Sequence, residues 1–140
     1  MTQENKELLL KDLSARLPYG LKCFYNTTQQ ICLIKKFSHN YGVCIEGRRE
    51  SSRYDGSPSH VESWTNIDSI KPYLRPISSM TIDERFEYNG LRNYVEDSFD
   101  CELLSHKVFD WLNAHHFDYR GLIEKGLALE ASADMYDLNK

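Results

Sequence analysis

The order of hydrophobic periods along this chain predicts an α+β fold: an N-terminal helix, a small antiparallel sheet or half-open barrel, and two C-terminal helices. Three observations predict it. The period is helical over residues 3–17, changes to alternation between Leu21 and about Arg48, and returns to helical spacing after Thr81. No βαβ alternation occurs, which argues against a doubly wound parallel sheet. The 140 residues, 41% hydrophobic and 27% charged, have the size and balance of one globular domain spanning 1–140.

In the first segment Leu9, Leu10, Leu13 and Leu17 share a face, Lys6, Lys11 and Arg16 take the rest, and Thr2 is placed to cap. Pro18 ends this helix, because the residue before a proline is driven out of the α region. Leu21, Cys23 and Tyr25 then alternate with Lys22, Phe24 and Asn26, and the apolar run Ile31-Cys32-Leu33-Ile34 fits a central strand. Val43 and Ile45, alternating with Cys44 and Glu46, give a third strand. Residues 47–60, GRRESSRYDGSPSH, hold almost no apolar side chain and are expected to form a long exposed loop. Val61 and Trp64 open a short fourth strand.

The stretch 66–129 is expected to be the helical part. Between Ile67 and Leu74 the spacing is helix-like, but Pro72 and Pro76 confine it to a single turn with an extended exit. Thr81-Ile82-Asp83-Glu84 is a capping box, in which hydroxyl and carboxylate satisfy each other's orphan N–H groups. Ile82 and Phe86 on one face predict a helix over about 82–89, which Gly90 weakens. Leu104, Val108, Trp111, Leu112 and His115 mark the last helix, with Ser98 or Asp100 as its cap. Gly121 and Gly126 punctuate a turn-rich segment beyond it. Residues 130–140 read as a loose tail on which Met135 and Tyr136 are able to dock.

Composition narrows the function classes. No apolar run approaches the ~20 residues needed to span a bilayer. The start MTQENKELLL lacks a basic region followed by a long apolar stretch, so a cytoplasmic protein with no membrane partner is expected. Cys23, Cys32, Cys44 and Cys101 form no C-x-x-C pair and read as buried reduced thiols rather than metal ligands or disulfides. No P-loop, G-x-S-x-G or paired acidic motif is present, so no cofactor and no catalytic residue is assigned.

The net charge of −4 conceals a polarity. Residues 21–54 carry six Lys and Arg against two Glu, a surplus of +4, whereas residues 81–140 carry six basic and thirteen acidic side chains, −7. Two faces with different partners, or halves that attract each other, both follow from this.

The best ligand-binding candidates are Arg48, Arg49, Arg53 and Tyr54, backed by Lys35, Lys36 and Tyr41, since arginine interleaved with aromatics suits phosphates and stacked bases. A pI of 5.7 argues against nucleic acid, but a nucleotide-like ligand or a protein needs only a local patch. The alternative is a solvated loop paired with the acidic half. Asp118 and Arg120, in the DYRG turn, are placed either to bind a ligand or to tie down their own turn, with Gly121 supplying positive φ. His115, His116 and Asp118 would be the metal cluster of a hydrolase, completed by His39, His60 or Asp110. Adjacent helical residues point ~100° apart, so the two imidazoles do not readily face one ion. In the structural alternative His115 continues the apolar stripe and His116 caps the carbonyl end as a cation. No metal ligand is assigned.

Three strings, IKPYLRPISSMT (Ile70 to Thr81), HHFDYRGLIEKGLA (His115 to Ala128) and LPYGLK (Leu17 to Lys22), resemble short proteins carried by phages, prophages and other mobile elements of gut anaerobes. The resemblance covers the frame of the chain, not residues 47–60 or 90–101, and carries no activity to transfer. It implies a phage or prophage accessory protein acting inside a bacterial cell. The expectation is a non-enzymatic protein that binds a host component, a protein or a nucleotide signal, and thereby counters a host defence system. The alternatives are a metal-dependent hydrolase built on His115, His116 and Asp118, and a self-assembling homo-oligomer whose basic and acidic regions pair between subunits.

Overall fold

The computed structural model describes residues 1–38, 42–49, 59–96, 101–132 and 134–136, and the side chains of all of these except 48, 49, 59–61, 95, 96 and 101–105. Helix α1 (Gln3–Arg16) is followed by strands β1 (Lys22–Tyr25), β2 (Gln30–Phe37), β3 (Gly42–Arg49), β4 (Ser59–Asn66) and β5 (Ile70–Leu74). Helices α2 (Ile82–Glu96) and α3 (Cys101–Ala114) come next, and the two-residue strand β6 (Leu129–Glu130) completes an α+β fold. The sheet is open, with strand order β4-β3-β2-β1-β5-β6. Its pairs are antiparallel except β5–β6, which is parallel. It is thus neither purely antiparallel nor a half-open barrel.

Helix α1 starts where the Thr2 hydroxyl accepts from the Asn5 N–H, and after Pro18 the chain turns at Gly20 with φ 72°. Leu9 and Leu13 lie on one face of the sheet, packed among Cys23, Cys32, Ile34, Val43, Ile45, Ile70 and Leu74. Leu122, Leu127 and Ala128 close the same core. In β2 only Cys32 and Ile34 are buried, while Ile31 is exposed, so the strand alternates instead of burying its whole apolar run. Strict alternation would then turn Lys36 inward. A bulge at Lys35 shifts the register, so that Lys36 stands opposite Cys44 and Phe37 opposite Val43.

Three segments differ from expectation. Residues 47–49 belong to β3 and pair with 59–61 of an eight-residue β4, so the expected loop contracts by three residues at its start and two at its end. Residues 70–74, expected to be an extended exit within a helical part, form β5 inside the sheet, between β1 and β6. Pro72 is tolerated there. The Asn26 N–H donates to Ser69 O, which fixes the β1–β5 register so that Pro72 faces Cys23 at a non-bonded position, its missing N–H turned away from β1. Third, α2 continues through Gly90 to Glu96.

The two C-terminal helices do not close the main core. They make a second, smaller one from Trp111, Leu112 and Phe117, against which Met80, Tyr88, Leu91, Val108 and Tyr119 pack. Within the described part of the tail, Tyr136 docks on the sheet. Tyr136 hydroxyl accepts from Lys22 N–H and donates to Tyr73 O, standing where the β1–β5 ladder would otherwise gain a rung. Burial raises its ionisation well above the usual phenol range.

Candidate functional site

The two cores meet at residues 115–120. Helix α3 ends with Phe117 N–H donating to Leu112 O and His116 N–H to Asn113 O, a double closure that needs a left-handed residue at 116. That residue is His116, at φ 62°, where glycine is usual. The strain holds the imidazole in a fully buried position, stacked 3.8 Å from the Tyr136 ring. Burial, with Arg16 and Arg75 nearby, lowers its pKa to about 3, and Nδ1 has no hydrogen-bond partner. His116 is therefore a neutral core residue, not the cationic cap expected of it.

His115 points elsewhere. Its Nδ1 lies 2.8 Å from Trp111 O and its ring stacks on Trp111 at 4.1 Å. Asp118 uses both oxygens to accept from the N–H groups of Leu122 and Ile123, each at 2.9 Å. The three side chains expected as a metal cluster thus have three separate tasks. Among the described residues no group of three His, Cys, Asp or Glu side chains is placed to hold an ion.

Beneath the junction lies a buried charge network. Asp12 and Arg16 sit on α1 within the core, although the amphipathic reading assigned Arg16 to the outer face. Arg16 donates to Asp12 through Nε (2.8 Å) and one Nη (3.1 Å), and the same Nη reaches Phe117 O at 2.6 Å. Arg120 adds a second cation, Nε to Asp12 Oδ1 at 3.2 Å. One carboxylate thus serves two guanidiniums, and Nη1 of Arg16 is buried without a partner. Tyr119 lies against both cations, with its hydroxyl donating to Asn113 Oδ1. An open cleft of about 450 Å³ adjoins the network, lined by Lys11, Ala15, Phe109, Asn113, Tyr119 and Arg120.

On the other side of the junction, Arg75 clamps β5 to α2. It grips Glu84 through both Nη atoms (2.8 and 2.6 Å) and lies 4.3 Å over the Phe117 ring. Glu84 also completes the predicted capping box, accepting from Thr81 N–H while its own N–H donates to Thr81 Oγ1. The Arg75 guanidinium holds the Glu84 carboxyl down to about 2. So fixed, α2 turns Tyr88 and Leu91 toward α3 and presents the opposite side outward. Ile82 is 88% exposed, Phe86 84% and Tyr94 62%. The pair Ile82/Phe86, whose shared face predicts the helix, lies on its outer side.

The basic group expected around β3 is divided. Lys35 pairs with Glu46 at 3.1 Å, and Lys36 lies 5.9 Å over the Trp64 ring. Arg48, opposite His60, is four residues along β3 from Cys44, the partner of Lys36, or ~13 Å at strand rise. Tyr41, Arg53 and Tyr54, with His39, Ser98 and Asp100, lie outside the described residues. Of the nine ligand candidates, Arg120 alone among the described side chains lines the cleft. Sequence reasoning missed Asp12, Arg16, Asn113 and Tyr119. The available signal was the i, i+4 spacing of Asp12 and Arg16, which overlaps the Leu9/Leu13 face. The chain matches no family model, no curated protein and no solved structure.

Proposed function

We propose that this chain works by binding rather than catalysis: a phage- or prophage-borne accessory protein that engages a host protein in the bacterial cytoplasm and so counters a host defence system. The observation that carries this reading is the outer row of α2. Ile82, Phe86, Gly90 and Tyr94 follow one another at i, i+4, i+8 and i+12, a ridge of the kind that seats in a groove between side chains of a partner. A side chain added at Gly90 would meet nothing within 4 Å, so the notch in the ridge is open. Exposed apolar rows anchored on a rigid helix are where interface energy concentrates.

The phage context is supported by the resemblance of the three strings, which also pack together. The Arg75 N–H donates to His116 O and the Asp118 N–H to Arg75 O, and Leu21 packs in the main core with Ile70, Leu74, Leu122 and Leu127. The described residues contain no helix long and apolar enough to cross a membrane. The hydrolase alternative has against it the separate tasks of His115, His116 and Asp118.

The test is affinity capture from host lysate with the wild-type chain and an Ile82→Glu/Phe86→Glu variant, followed by hydrogen exchange on the recovered complex. A partner held by the wild type, lost by the variant and protecting residues 82–94 is expected. Equal recovery by both chains would remove the ridge from the account. Sedimentation of the isolated chain distinguishes self-assembly, in which the same variant dissociates an oligomer.

A further inference from the structure

We infer that the cleft between α1, α3 and the 117–120 turn is a second binding site, for an anion carrying a planar ring and of mononucleotide size. It shares no residue with the α2 ridge. Its volume of about 450 Å³ falls in the range of small-ligand sites. The polar groups on its wall are Lys11, Arg120, Asn113 and Tyr119, and its described lining includes no carboxylate. The nearest acid in the network, Asp12, is fully buried and already bonded by Arg16 and Arg120.

Charge selects the ligand. Asp12, Arg16 and Arg120 together leave one positive charge in a poorly solvated place, and Lys11 adds a second at the rim. A buried surplus of this kind raises the local potential, and an arriving anion lowers it. Asn113 spends its carbonyl on the Tyr119 hydroxyl, which leaves the amide NH₂ as its donor end. Lysine, arginine and the NH₂ end of the amide supply donors, suited to phosphate or carboxylate oxygens.

Shape selects the ring. Phe109 is half exposed on the wall and meets Tyr119 at a centroid distance of 5.4 Å and a tilt of 49°. The two rings form an angled apolar wall beside the cations, and a planar group stacks on such a wall with little regard to its identity. Arg16 and Arg120 lie 5.3 and 5.0 Å from the Tyr119 ring centre and hold that wall in position.

The test is an amide NMR titration of the full chain with adenosine, guanosine, cytidine and uridine 5′-monophosphates, and with adenosine and inorganic phosphate as separate probes. Saturable shifts at Lys11, Ala15, Asn113 and Arg120 are expected with at least one monophosphate, and weaker binding with either component alone. Lys11→Glu and Phe109→Ala change exposed positions that the fold does not need, and each is expected to weaken binding by about tenfold or more. No saturable shift with any monophosphate up to about 10 mM would overturn the site, since that ceiling corresponds to negligible affinity. Shifts that are unchanged in Lys11→Glu would overturn it equally.

Discussion

Helices α1 and α2 break the same rule in opposite directions. Helix α1 places a carboxylate and a guanidinium in the core, whereas α2 places an isoleucine and a phenylalanine in water. Each inversion has a different physical support. Asp12 and Arg16 are stable inside because they bond each other, Arg120 and Phe117 O. Ile82 and Phe86 are stable outside because the capping box and the Arg75–Glu84 clamp fix α2 by its polar groups, leaving the apolar row unspent. Where local pattern and global fold disagree, the disagreement marks a buried charge network in one helix and an exposed apolar row in the other.

Removing Asp12 breaks the first inversion and carries the largest effect. Asp12→Ala leaves Arg16 buried without its counter-charge and Arg120 without its anchor, so a loss of ~3–5 kcal/mol is expected. Denaturant unfolding measures it. The same change at an exposed acid such as Asp83 of α2 is expected to stay within ~0.5 kcal/mol.

The junction between the helices has its own pH signature. His116 is held neutral in the fold, with a pKa of about 3 against 6.5 when free. Its contribution is fully present above pH 6.5. As the pH falls below that value the unfolded chain takes up a proton that the native chain refuses, so stability declines by ~1.4 kcal/mol per unit toward pH 3. Glu84, depressed from 4.5 to about 2, adds a loss of the same sign only below pH 4.5. Unfolding at pH 6.5, 5.5 and 4.5 thus isolates the histidine. His116→Asn tolerates the left-handed backbone and is expected to flatten this slope.

Beside that junction Tyr136 reaches the sheet through one hydroxyl. Tyr136→Phe strands Lys22 N–H and Tyr73 O, and a loss of ~1–3 kcal/mol is expected for unpaired buried polar groups. Thermal or urea unfolding reads it, with hydrogen exchange at Lys22 rising in step.

How much of this was legible follows the range of the interactions. Thr2, the capping box at Thr81 and Glu84, and the α3 stripe through Trp111 were readable because each is satisfied within a turn or two of helix. The strand at Ile70–Leu74 was not, since Pro72 is acceptable only once the register with Cys23 is known. Arg16 was misplaced for the same reason: its acceptor Phe117 O lies 101 residues away. At the cleft the DYRG turn drew attention to Arg120, but its partner Asp12 sits in a helix read as amphipathic. Asp118 was legible as a turn residue and takes that role.

The smallest stability effect sharpens the comparison most. Phe86 is 84% exposed, so Phe86→Glu removes little buried area, and a change within ~0.5 kcal/mol is expected in urea unfolding. An ordinary core-facing phenylalanine would cost ~3–5 kcal/mol on truncation, so the two readings of this helix face differ several-fold in one measurement. The same variant is expected to abolish capture of the partner, because an interface anchor contributes only in the complex. Unchanged stability with lost binding would establish that α2 is inverted for an interface. A large destabilisation would instead mean that the row packs against its own chain, and the contrast with α1 would vanish.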